Sequence, residues 1–318
     1  MRVAVESVLP DQHVATDGAR GAAPTTTPTP SLIDPAVLSE IDADTVDPDE
    51  RGIVSTLLFA NKLVDILAQV VTRFRRKTDH GVYPTVVEEI LRAFYLGNVD
   101  GSIWAAMKDQ TAAALGEDRG ARLLFDGIAA AEDDSSYPRI MLVGHSAGGV
   151  FIDNFIAELA RGHTRGYRQW PESPRFRVAL LAPANTYTSF ASTLATADRY
   201  IEYLRMFTMP DDAEQQDRLA GAFYPRSLLY FVSGVLERDQ SGGSIVAPLT
   251  GLARYLDATS KKPRSLVGTR DYLAGRVVLS PTAAGAAPGR AAAANTHGDF
   301  DDDALVLNSV QEMIREWR

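Results

Sequence analysis

The residues best able to do chemistry are Gly144-His145-Ser146-Ala147-Gly148-Gly149, a G-x-S-x-G string with a serine at its centre. It follows the apolar run Ile140-Met141-Leu142-Val143 and precedes the helix-patterned stretch Val150, Phe151, Asn154, Phe155, Ala157 and Glu158. A serine on a tight strand-to-helix turn presents its hydroxyl as a nucleophile. Small residues two before and two after it let strand and helix cross closely, and Gly144 and Gly148 occupy those places. The same turn puts Ser146 at a helix N-terminus, where the Ala147 amide can donate to a developing oxyanion and the helix dipole favours its charge. The chain has no cysteine, which removes disulfides, thiolate metal sites and a cysteine nucleophile and leaves serine as the leading one.

In this strand-turn-helix setting the GHSAGG string resembles the nucleophile elbow of the α/β-hydrolase superfamily, over roughly residues 120–318. The resemblance implies a mostly parallel sheet flanked by helices and a triad in the chain order serine, acid, histidine. Of the five histidines, His13 and His80 precede Ser146, His145 lies within the elbow, and His163 follows too closely for an acid to intervene. His297, in Asn295-Thr296-His297-Gly298-Asp299, remains as the general base. Asp301, Asp302 and Asp303 suit the first turn of the final helix better than a metal site. The acid is expected after the penultimate strand, read as Leu228 to Val232, where Glu237 and Asp239 compete. Glu237 has the family spacing from Gly234, and Asp239 has the commoner residue type.

These parts need a scaffold. The apolar runs Ile140–Val143, Val178–Leu181, Leu228–Val232 and Val277–Leu279 alternate with helical stretches, an α/β pattern with a parallel sheet. The stretch 249–256 reads as the crossover helix before the last strand. Upstream, residues 51–116 form a helical block where early strands would be expected, so the sheet is incomplete at its N-terminal side unless Arg2–Leu9 supplies a strand. The first helix has apolar residues at helical spacing from Ile53 to Phe74, ends in Arg73, Arg75, Arg76 and Lys77, and is expected to pack one face on its own domain. His80-Gly81 after it reads as a helix C-cap, without a catalytic role. Tyr187, Phe190, Phe207 and Phe223 are candidates for core or for an acyl pocket.

Residues 1–50 carry ten acids against Arg2 and Arg20, a net of −8, whereas the whole chain carries −9. With six prolines and the run Gly18–Ser31, they read as a disordered acidic arm ahead of one domain, 51–318. The remainder is nearly neutral, so charge says little about the substrate. The only dense basic cluster, Arg73 to Lys77, has no nucleic-acid recognition motif beside it, no phosphate-binding glycine loop or metal constellation stands out, and no cofactor is expected. No run is long enough to span a membrane, nothing specific supports peripheral contact with one, and the lack of a signal-peptide pattern points to the cytoplasm. The expected partner is a small acyl ester. The competing readings are an acyl transferase or thioesterase with the same triad, and a non-catalytic hydrolase-like interaction protein.

Overall fold

The computed structural model describes residues 51–93, 103–116, 119–130, 139–162, 176–237, 246–256 and 264–316. The arm 1–50, the segment Arg2–Leu9, His163 and Asp239 lie outside these residues. The chain divides into two units, Met1–Leu58 and Phe59–Arg318, of which the first shows only the opening residues of helix α1.

Helix α1 (Arg51–Arg76), α2 (Val82–Leu91), α3 (Ile103–Ala113) and α4 (Gly120–Ala130) precede the first described strand, so the block before the elbow is helical as expected. A parallel sheet follows: β1 (Met141–His145), β2 (Phe176–Leu181), β3 (Ile201–Thr208) and β4 (Val277–Leu279), in the linear order β1-β2-β3-β4. Helices α5 (Ala147–Gly162), α6 (Tyr187–Ala197) and α9 (Arg264–Leu273) lie in the crossovers, and α10 (Ala304–Arg315) closes the chain. Two short helices, α7 (Asp211–Gln216) and α8 (Leu228–Phe231), lie between β3 and α9.

Helices cover both faces, which is why β2 is an apolar run rather than an alternating strand. Phe176, Val178 and Leu180 pack with Ile152, Phe155 and Ile156 of α5, Phe190 of α6 and Leu273 of α9. Ala179 faces the other way, against Val310 and Met313 of α10. A third cluster lies around the strands' C-terminal ends, where Leu181, Phe207 and Val278 meet Tyr187, Leu229, Phe300 and Val306. Most of these side chains are almost fully buried, each contributing on the order of 1.5–3 kcal/mol.

Three expectations are corrected. Leu228–Phe231 is helical, capped by the Ser227 hydroxyl, and Val232–Leu236 continues as a wider π-type turn. The penultimate strand is instead Ile201–Thr208, in which Glu202 and Arg205 interrupt the apolar pattern. Within 249–256 only Ala253–Tyr255 forms a short helical turn, and the crossover helix before β4 is α9. Gly81 is the N-cap of α2 rather than a C-cap, and Lys77 takes the left-handed conformation that ends α1.

Helix α1 buries Ile66 and Arg73 but leaves Leu63, Val64, Leu67 and Val71 exposed. Its anchor is ionic. Arg73 donates to Glu88 and, at 2.8 Å, to Glu89, while His80 Nδ1 lies 2.9 Å from Glu88 and Tyr224 also donates to that carboxylate. Burial would raise the Glu88 carboxyl, yet the hydrogen bonds of His80 and Tyr224 and the charge of Arg73 bring it down to about 2, while burial lowers the His80 imidazole and keeps it neutral. His80 is thus a buried structural residue.

Candidate active site

β1 runs straight into α5 through one residue, and that residue is Ser146. Its φ is +52°, a left-handed conformation that costs a non-glycine residue on the order of 1 kcal/mol and persists only where its surroundings impose it. The imposition is visible in the backbone. Ser146 N–H donates to Leu181 C=O at 2.9 Å, extending the β1–β2 ladder by one rung, and Ser146 C=O accepts from Gly149 N–H at 3.0 Å and Ala184 N–H at 3.1 Å.

The strand and helix cross so closely that a Cβ on Gly144 would lie 2.6 Å from the Gly148 backbone and 2.7 Å from Ile152. Gly148 itself has open space where a Cβ would stand. The second position that must be small is Gly149, packed against Pro183 and Asn185. Asn185 Nδ2 also donates to Gly149 C=O at 2.9 Å, tying the first turn of α5 to the loop after β2.

Ala147 is the first residue of α5, so its N–H has no intrahelical acceptor and stays available beside Ser146. Among the described residues β1 is an edge strand, with no strand on its outer side to carry a second amide to this turn.

His297 is brought to the elbow by His145. His145 Nε2–H donates to the His297 carbonyl at 2.9 Å, and the two imidazole rings lie 5.0 Å apart at a tilt of 32°. The loop that carries His297 is held by local hydrogen bonds. Asp299 accepts from the Asn295 and Thr296 N–H groups at 2.8 Å each, and Thr296 caps the turn His297–Asp301 in return. Asp303, by contrast, is the N-cap of α10, accepting from Leu305 N–H at 2.9 Å, while Asp301 Oδ2 lies 3.5 Å from His145 Nδ1.

His297 is only 5% exposed, and neither ring nitrogen bonds a described residue, Ser146 and the carboxylates included. Burial, and then the charge of His145, lower its pKa to about 4, so the ring is neutral at ordinary pH.

Glu237 is buried elsewhere. Its Oε1 accepts from Trp104 Nε1 at 2.7 Å and from Lys108 Nζ at 2.6 Å, fastening α3 to the turn after α8. Helix α3 is held to α5 as well, by Asn154 Nδ2 donating to Thr111 Oγ1 at 2.7 Å. The carboxylate that meets His297 is Asp217, just past α7, whose Oδ2 accepts from the His297 backbone N–H at 2.9 Å. With β3 correctly placed, Asp217 belongs to the acid-rich segment after the penultimate strand.

A carboxyl on α7 is stranded in the interior. Glu214 is fully buried with neither oxygen in a full hydrogen bond, and burial, only partly offset by the Ser227 hydroxyl, pushes it up to about 8. Of the four aromatic candidates, Tyr187, Phe190 and Phe207 are core residues and Phe223 is 59% exposed.

Among the described residues no group of histidine and acidic side chains is arranged to hold a metal, and no helix is long and apolar enough to cross a membrane. Compared with protein-family models, with curated proteins and with solved structures, the chain matches none of them.

Proposed function

We propose that the chain is a serine hydrolase of α/β-hydrolase type that cleaves carboxylic esters. The observation that carries this reading is the left-handed Ser146 on a one-residue strand-to-helix turn, held by three backbone hydrogen bonds. A protein with no use for a serine there would lower its energy by placing glycine at that position.

In the proposed mechanism Ser146 Oγ attacks the ester carbonyl carbon while His297 takes its proton. The oxyanion forms against the Ala147 amide at the positive end of α5. The imidazolium returns the proton to the leaving alcohol, and a water activated by the same imidazole then hydrolyses the acyl-enzyme. Asp217, which holds the His297 backbone, is the positioning carboxylate. His297 is buried and neutral in the resting protein.

The test is labelling of the full chain with a fluorophosphonate probe, with p-nitrophenyl ester turnover measured alongside. Labelling and turnover are expected in the wild type and absent from Ser146→Ala. Undiminished labelling of Ser146→Ala, or turnover untouched by His297→Ala, would sink the assignment. Complete inertness of a folded wild type would favour the interaction-protein reading, and turnover confined to acyl thioesters would favour the thioesterase.

A further inference from the structure

At the N-terminal ends of the strands, remote from the elbow at their C-terminal ends, β3 overhangs β4. β3 begins at Ile201, whereas β4 joins it only at the pair Met206–Val277. The overhang opens a groove of about 390 Å³. Met206 N–H donates to Arg276 C=O at 3.0 Å, and strand alternation sends the Leu204 N–H the same way, into the groove, ahead of β4's first residue.

Arg276 and Arg290 line this groove, and neither forms an ion pair among the described residues. Each is steadied by a backbone carbonyl, Arg276 by Tyr272 and Arg290 by Gly275 at 2.6 Å, which leaves most of their N–H donors uncommitted. A third guanidinium stands next to them. Arg205 is 5% exposed, donates to Gly289 C=O, has no partner on Nε, and lies 5.0 Å from the ring centroid of Tyr203, another lining residue. Burial, then the charge of Arg290, lower its pKa to about 10, with Glu316 the opposing influence. A buried cation crowded by a second one is costly unless an anion compensates it.

The opposite rim bears acceptors, the exposed carboxylates of Asp198 and Glu202, the latter also 3.2 Å from Arg177. A bare anion would be repelled on this side, and a neutral polyol would leave the guanidiniums uncompensated. A molecule carrying both a phosphate and hydroxyl groups satisfies both sides.

We propose that this groove is a second binding site, for a hydroxyl-bearing phosphate ester of the sugar-phosphate class, with phosphate on Arg276 and Arg290 and hydroxyls on Asp198 and Glu202. The proposal is independent of the reading of Ser146.

The test is calorimetric titration and thermal shift of the full chain at low salt with glucose 6-phosphate, inorganic phosphate and glucose. Glucose 6-phosphate is expected to raise the melting temperature and to bind at least about tenfold more tightly than inorganic phosphate, with glucose silent. Arg276→Gln with Arg290→Gln should weaken binding at least about tenfold, while the Lys pair retains part of it. Three results would overturn the site: no shift by glucose 6-phosphate up to about 10 mM, equal binding of inorganic phosphate, or undiminished binding by a folded glutamine pair. Should that pair fail to fold, the comparison of the three probes on wild-type protein decides alone.

Discussion

Asp217 accepts the backbone N–H of His297 at 2.9 Å, across 80 positions of sequence. The contact joins the segment after β3 to the loop after β4, so the imidazole is placed by an acid from a neighbouring crossover. Asp217→Ala should lower kcat for ester turnover at least about tenfold and cost on the order of 1–2 kcal/mol of stability. Asp217→Asn keeps an acceptor for the N–H but not the charge. If the carboxylate also stabilises the imidazolium, Asn restores stability without restoring kcat, and recovery of both would reduce Asp217 to a loop anchor.

Glu237 is predicted to be structural. Its carboxylate carries the Trp104 and Lys108 contacts, so Glu237→Ala should lower stability by about 1–3 kcal/mol in denaturant unfolding. Glu237→Gln, which still accepts from Trp104, should keep fluorophosphonate labelling close to wild type. A folded Glu237→Gln protein that has lost turnover would return this residue to the triad.

Much of this was legible in the sequence, and the failures have physical causes. The strand-to-helix turn at Ser146 was legible because a close crossing demands small residues at fixed offsets, supplied here by Gly144 and Gly149. Leu228–Val232 reads as a strand from sequence because five apolar and aromatic residues suit a strand or a short buried helix equally, and periodicity cannot separate the two at that length. β3 was overlooked because Arg205 and Glu202 break its apolar run, Arg205 being buried all the same. His145 was set aside because it lies within the G-x-S-x-G string. Its hydrogen bond to the His297 carbonyl depends on a contact 152 residues distant, which no local pattern reports.

Relieving the backbone at residue 146 should stabilise the protein. Ser146→Gly permits φ of +52° without steric cost, and a gain of about 0.5–1 kcal/mol is expected after the added freedom of glycine in the unfolded chain is counted. The melting temperature should rise while labelling disappears. A fall relative to Ser146→Ala would mean that the turn stores no strain.

The buried imidazole of His297 imposes a pH dependence. Its folded pKa of about 4 lies below the ordinary value of 6.5, so the unfolded chain binds the proton first as pH falls. The stability it permits is complete above about pH 6.5 and is lost through the interval down to about 4, at no more than about 1.4 kcal/mol per pH unit. Urea unfolding across that interval should show a shallower slope in His297→Gln. The acid limb of kcat/KM should fall near pH 4–5 instead of 6.5.

Glu214 acts in the opposite sense. With a folded pKa raised to about 8, the native state holds a proton that the unfolded chain releases above about 4.5, and stability therefore declines as pH rises between those values. Glu214→Gln replaces the protonated carboxyl with a neutral isostere. It should stabilise the protein by about 1–3 kcal/mol at pH 7 and flatten that decline. An unchanged melting temperature at pH 7 and pH 5 would show that the carboxyl is solvated.

The linear order β1-β2-β3-β4 also dictates a schedule. Each strand joins the sheet beside the one made just before it, always in the same direction, so the serine emerges from the ribosome with the first of these strands and the histidine only after the last. A chain that holds only the first of these strands therefore carries the proposed nucleophile without the proposed base, and the proposed chemistry waits for the segment that follows β4.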